Sequence, residues 1–137
     1  MDPRPPQVSH YRLDSTLGQG GMGVVYLATD VLLHRRAALK FLFPQFAQDP
    51  AARRRFLNEG RAAATLSHPN AAVVYEVGTE GDEIFLAMEY VPGVTLCELV
   101  AEGPLPWNEV VDLTLEIHAA LREAHAKGIV HRDIKGA

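Results

Sequence analysis

The residues most able to do chemistry come in a short series along the chain. Gly18-Gln-Gly-Gly-Met-Gly23 has the spacing G-x-G-x-x-G. A loop without side chains lets backbone N–H groups approach an anion closely. Three anion-binding forms share these glycines and differ in what must follow them. A dinucleotide-binding turn needs a helix whose N-terminus receives the pyrophosphate, yet Val24-Val-Tyr-Leu-Ala28 is a poor helix start. A Walker-type loop needs Lys and then Ser or Thr after the last glycine, where this chain has Val24 and Val25. A strand–loop–strand flap over phosphates needs β-prone flanks, which are present. On the loop alone, a merely flexible hairpin turn is the plain alternative. Lys40 stands in the otherwise apolar run Ala37-Ala-Leu-Lys-Phe-Leu42 and can neutralise phosphate charge, or be an ordinary solvent-facing lysine. Glu59 can hold that lysine in place, or be one more solvated helix charge. In His131-Arg-Asp133, the aspartate can accept a hydroxyl proton, and Lys135 can reach a transferred phosphate. The triplet alone reads equally well as a polar loop.

These residues need elements to position them. Tyr11 to Leu17 and Val24 to Ala28 predict two strands joined by the glycine turn, and Ala37 to Leu42 a third. Pro50 to Leu66 predicts a helix with Phe56, Ala63 and Leu66 on one face. Ala72 to Val77 and Ile84 to Tyr90 predict two further strands, with Gly78 to Glu83 as their turn. A short helix over Thr95 to Ala101 follows, then a longer one from Pro106. The latter carries Val110, Leu113, Ile117, Leu121 and Ala124 at helical spacing and ends at Gly128. The order predicts an α+β chain: an antiparallel sheet with one helix, then an α region. With 137 residues, 47% apolar and 22% charged, the chain can fold around a core. A net charge of −4 gives no footprint for nucleic acid or membrane. Cys97 is alone, so no intrachain disulfide can form. The proline-rich start is a flexible arm over residues 1–10, without the order of a signal peptide, and no apolar run is long enough for a membrane span.

Taken together and in this order, the motifs resemble the protein kinase family from about Tyr11 onward. The residues that carry the resemblance are Leu17-Gly-Gln-Gly-Gly-Met-Gly-Val-Val-Tyr26, Ala-Leu-Lys40, Phe56-Leu-Asn-Glu59, Met88-Glu-Tyr-Val91 and His131-Arg-Asp-Ile-Lys135. The wording is similar to the bacterial serine/threonine branch. The resemblance implies a small lobe and hinge over 11–91, built on a five-stranded antiparallel sheet and one main helix, and the start of a large lobe over 92–137. It implies that Gly18, Gly20 and Gly23, with Gln19 and Gly21 in the same loop, cover the phosphates of ATP. Lys40 would contact the α- and β-phosphates and pair with Glu59. Leu17, Val25 and Ala38 would line the adenine pocket, with Met88 at its back. The backbone of Glu89 and Val91 would hydrogen-bond the adenine edge, and Thr95 would lie near the ribose. Asp133 would be the catalytic base, with Lys135 beside the transferred group.

The chain departs from the family's pattern after Lys135, where Gly136 replaces proline. The Mg²⁺-binding asparagine and the Asp-Phe-Gly segment would fall past Ala137, so no metal ligand is expected among these residues although the resemblance implies ATP and Mg²⁺. The expected function is a cytoplasmic serine/threonine protein kinase acting on protein hydroxyls, present as a truncated domain inactive alone. The alternative is a non-catalytic nucleotide-binding or scaffold module. The stripe Val110 to Leu121 predicts self-association through the large-lobe helix.

Overall fold

The structure is a computed structural model that describes residues 6–131, 134 and 135. The chain forms two compact units. One runs to Thr65 and includes Val73–Tyr90; the other takes Leu66–Ala72 and the chain from Val91 onward.

The first unit is a sheet of six antiparallel strands: β1 (Gln7–Val8), β2 (Tyr11–Gln19), β3 (Gly23–Asp30), β4 (Arg35–Leu42), β5 (Val74–Glu80) and β6 (Glu83–Glu89). Their order is β1-β2-β3-β4-β6-β5. Along β3 the even-numbered residues Val24, Tyr26, Ala28 and Asp30 are buried, and Val25, Leu27 and Thr29 are half-buried. That alternation follows from successive side chains taking opposite faces. The buried face joins Val8, Tyr11, Ala37, Leu39, Phe41, Phe85 and Ala87 in one core. Its rings meet edge to face, Tyr26 on Phe41 at 5.7 Å and Tyr11 on Phe85 at 6.0 Å. The sheet curls around this core, so its two edges approach: Ser9 N–H on the β1–β2 turn donates to the Glu80 carboxylate on β5.

The other face carries two helices, α1 (Pro44–Ala47) and α2 (Pro50–Ala64). Asp49 caps α2, accepting from the N–H groups of Ala51 at 3.1 Å and Ala52 at 3.3 Å, and Pro50 fills the first helical position. Phe56 and Leu57 pack with Leu42, Ala47 and Ile84. Gly60 is what lets α2 lie close. A Cβ there would come within 2.7 Å of Val77 Cγ2 and 3.0 Å of Leu86 Cδ1.

Three expectations are corrected here. The sheet has six strands instead of five, because Gln7 and Val8 pair with Arg12 and Tyr11. Those two residues fall in the segment expected as a flexible arm, but Val8 is 1% exposed and the Pro6 carbonyl accepts from Leu13 N–H at 2.8 Å. The β5–β6 turn is shorter than predicted. Gly78 pairs opposite Phe85, whose ring occupies the space a side chain would need, so β5 continues to Glu80 and the turn is left to Gly81 and Asp82. Gly81 takes the left-handed φ of +58°.

The second unit contains α3 (Leu96–Ala101) and α4 (Trp107–Ala126). Thr95 Oγ1 accepts from Glu98 N–H at 3.1 Å while Glu98 Oε2 accepts from Thr95 N–H at 2.6 Å, a capping box. The backbone bond also holds the Glu98 carboxyl below the usual range. Gly128, at φ +72°, ends α4 as predicted: Ile129 N–H reaches the Ala124 carbonyl and Gly128 N–H that of His125. Asn70 Nδ2 donates to the Glu116 carbonyl at 3.0 Å, fastening the 66–72 segment to α4. No helix among the described residues is long and apolar enough to cross a membrane.

Candidate functional site

The strand register assembles most of the first unit's candidate residues. Gly18 is paired with Val25, Val25 with Lys40, Lys40 with Leu86, and Leu86 with Val77. These five residues form one row across five strands. The adjoining row is Ser15, Leu27, Ala38, Met88 and Val74. Paired residues share a face, and residues two apart on a strand share it too. Gly18, Val25, Ala38, Lys40 and Met88 therefore stand on one face of the sheet. It is the face that carries α2, because Gly60 touches down on Val77 and Leu86 of Lys40's own row. Glu59 precedes Gly60 on that helix and is exposed, as is Lys40.

The glycines separate into two kinds. The turn is closed by Gly20 N–H on the Gly23 carbonyl at 2.9 Å and tied to β4 by Phe43 N–H on the Met22 carbonyl at 2.9 Å. A Cβ on Gly23 would run into the Phe41 carbonyl, so the fold itself demands that glycine. A Cβ on Gly18, Gly20 or Gly21 would meet nothing within 4 Å, and none of the three has a positive φ. The chain's own packing thus gives no reason for glycine at those three places. Gln19 ends β2 opposite Val24. Leu17 lies at a β2 register shift between Thr16 and Gly18 and is exposed; such a bulge twists the strand locally.

The opposite side of the sheet holds the charges that keep β3 and β4 in place. Asp30 is fully buried. Its Oδ1 accepts from the N–H groups of Leu32 and Leu33, both at 3.0 Å, and so shapes the β3–β4 turn. Its Oδ2 lies 3.5 Å from Arg35 Nε and 3.9 Å from His10 Nε2. Burial pushes the Asp30 carboxyl up, but the Leu33 and Leu32 N–H groups, with His10 and Arg35, outweigh it and hold the group below the ordinary carboxylate range. The Arg35 guanidinium sits 3.6 Å over the Tyr75 ring. Burial, then the Glu76 and Asp30 charges, push the Tyr11 phenol up. On the candidate face itself, where Thr29 follows Val25 and Leu27, Asp14 is bonded by Thr29 Oγ1 at 2.6 Å and Arg12 Nε at 3.0 Å; those partners hold it low and fix β2 against β3 before the glycine turn.

The remaining candidates stand apart from this face. Glu89 ends β6 opposite Ala37, and its carboxylate Oε2 accepts from Val73 N–H at 3.0 Å. Val91 is exposed in the second unit, where Thr95 caps α3. Lys135 is exposed, and Asp133 lies outside the described residues. No three His, Cys, Asp or Glu side chains gather as a metal site among the described residues. Sequence reasoning missed Gly60 and the Asp30 turn. Gly60 had a readable signal, since a glycine inside an alanine-rich helix costs about 1 kcal/mol against alanine and marks close packing.

The protein kinase domain family matches this chain over residues 11–137. Serine/threonine-protein kinase PrkC of Bacillus subtilis is 43% identical over 126 residues, which cover 91% of this chain and 19% of that protein. Serine/threonine-protein kinase PknB of Mycobacterium leprae is 40% identical over 139 residues, covering 97% of this chain and 22% of that one. The crystal structure of the Mycobacterium tuberculosis PknI kinase domain superposes with a TM-score of 0.81 at 34% identity, covering 96% of this chain and 54% of that domain's chain. The chain thus spans about a fifth of the length of the curated relatives it matches.

Proposed function

The chain belongs to the protein kinase family, and from that membership we propose that it holds ATP for the transfer of the γ-phosphoryl group to serine or threonine hydroxyls of proteins. The small lobe and hinge are assigned to 11–91 and the start of the large lobe to 92–137, in a cytoplasmic protein. The observation that carries the reading is the single cross-strand row from Gly18 through Val25 to Lys40. Strands are spaced about 4.8 Å apart, so Gly18 and Lys40 lie about 10 Å apart on one face. A triphosphate fits between a lysine ammonium and a glycine turn at that separation.

In this reading the open positions at Gly18, Gly20 and Gly21 let backbone N–H groups of the loop reach phosphate oxygens. Lys40 neutralises the α- and β-phosphates, and Glu59 steadies Lys40. Leu17, Val25 and Ala38 offer apolar surface to the purine, with Met88 limiting its depth. Val91, Thr95, Lys135 and Asp133 enter by their place in the family's pattern alone. Asp133 accepts the proton of the attacking hydroxyl. That oxygen bonds to the γ-phosphorus as the bond to the ADP oxygen breaks. Mg²⁺ belongs to the family's chemistry, and no step is assigned to it here.

The test has two arms. Lys40→Ala should weaken ATP binding about 10- to 100-fold, as expected for a charged hydrogen-bonding partner; unchanged affinity in a titration removes Lys40 from the phosphate site. In a radiolabel assay on the whole kinase, Asp133→Asn should abolish labelling of a basic protein substrate. Nucleotide binding without any labelling that depends on Asp133 would instead favour a non-catalytic binding module.

A further inference from the structure

Charge is segregated between two helices of this chain. α2 carries Arg53, Arg54, Arg55 and Arg61 against one acid, Glu59, whereas α4 carries Glu109, Asp112, Glu116 and Glu123 against one arginine, Arg122. Exposed helices usually mix the signs, because opposite charges four residues apart support each other. Two of these charges are engaged locally: Arg53 reaches the Asp82 carbonyl at 3.5 Å, and Glu123 lies 3.4 Å from Lys127. Others line up in two stripes. Arg54, Asn58 and Arg61 recur at i, i+4 and i+7 along α2, and Glu109, Asp112 and Glu116 at i, i+3 and i+7 along α4. All six are exposed, and no ion pair among the described residues takes any of the five charged ones. Seven residues of helix rise about 10.5 Å in either element, so the stripes agree in length and oppose in sign.

We propose that the Arg54–Arg61 stripe of α2 docks on the Glu109–Asp112–Glu116 stripe of α4 in a second copy of this chain. A single charged stripe is an ordinary solvated face. Here the same molecule carries the counterpart, and that identifies the occupant. The contact is heterologous, the basic stripe of one copy meeting the acidic stripe of the next. Asn58 offers an amide donor between the two guanidinium groups. One exposed ion pair contributes little, but several in register along two helices fix which surfaces meet and speed their encounter.

Sedimentation velocity on the 137-residue chain reads the association. Raising sodium chloride from about 0.1 M to about 1 M shortens the screening length from about 10 Å to about 3 Å. The association constant should then fall roughly tenfold, as the loss of a few surface pairs would give. Apolar contact through Leu115 and Ile117 alone is not screened in this way, so an association that salt leaves unmoved or strengthens overturns the proposal. Arg54→Glu with Arg61→Glu should weaken self-association, and so should Glu109→Lys, Asp112→Lys and Glu116→Lys made together. Each altered chain then presents two stripes of one sign. Mixed in equal amounts, the two should associate again, because the reversed α2 of one meets the reversed α4 of the other. A mixture that stays as dissociated as its components overturns the pairing. So does an effect of the α2 changes with none of the α4 changes, since the arginines would then meet some other acidic surface. The altered residues are exposed, so melting temperatures should hold. Should either variant fail to fold, the salt response of the unaltered chain still decides.

Discussion

A glycine says nothing by itself about whether it serves the fold or a ligand. Four glycines between Gly18 and Gly23 look interchangeable in the sequence, yet their surroundings differ. Gly23 is trapped against the Phe41 carbonyl, while Gly18, Gly20 and Gly21 face open space. Gly23→Ala is therefore expected to destabilise the first unit by about 1–3 kcal/mol, the usual cost of forcing atoms into a filled space. Gly20→Ala should leave urea denaturation almost unmoved but, under the function proposed above, lower the affinity for ATP, because the methyl group would enter the open space beside Gly20 that this proposal gives to phosphate. Urea melts and nucleotide titrations on the two variants check both halves. A Gly20→Ala chain that binds ATP as well as the unaltered one would make that glycine incidental. The chemistry-bearing types at Gly18, Lys40 and Glu59 were legible in the sequence. Which glycines the fold needs was not, because the deciding atom belongs to a residue 18 positions away, at 41 against 23.

Elements read from periodicity were recovered where the pattern was long enough. β3, β4, α2 and α4 announce themselves through alternation or helical spacing over eight residues or more. β1 has two residues and no period to read. The β3–β4 connection was also silent, since Asp30 looks like any polar residue at a strand end. In the structure it is the buried acceptor that closes the turn and meets Arg35. Asp30→Ala would leave the Leu32 and Leu33 N–H groups without their acceptor, at a cost of about 1–3 kcal/mol. The pH dependence follows from the sign of the shift. The folded-state carboxyl is held low, so its contribution is fully present above the ordinary carboxylate pKa of about 3.9 and is lost as pH falls through that value and below. Stability measured by urea denaturation should therefore drop on acidification in the unaltered chain. Asp30→Asn should show a smaller drop over the same window, starting from a lower value at neutral pH. Equal acid dependence in both would mean that other carboxylates dominate.

At the scale of the whole molecule, the two units bury their apolar residues very differently. The sheet closes on itself around Tyr11, Phe41 and Phe85, each no more than 1% exposed. In the second unit, the large apolar residues of α4 are covered poorly. Trp107, Val110, Leu115 and Ile117 are all exposed, Leu115 by 61%, while Ala120 and Ala124 are the residues of α4 that are buried. The helical stripe was legible from its spacing, but spacing cannot say what lies against it. Exposed apolar residues of this kind drive association, because each methylene withdrawn from water gains about 0.8 kcal/mol. The 137-residue chain is accordingly expected to self-associate at tens of micromolar, roughly where exposed apolar surface begins to cause aggregation. Light scattering should show it, and Leu115→Gln with Ile117→Gln should shift the chain toward monomer without lowering its melting temperature. Ala124→Gln is the opposite control: it forces a polar side chain into a buried position of α4 and should lower the melting temperature without improving solubility. A clean monomer in the unaltered chain, or double-Gln substitution that destabilises as much as Ala124→Gln, would show that Leu115 and Ile117 are covered in solution by the chain itself.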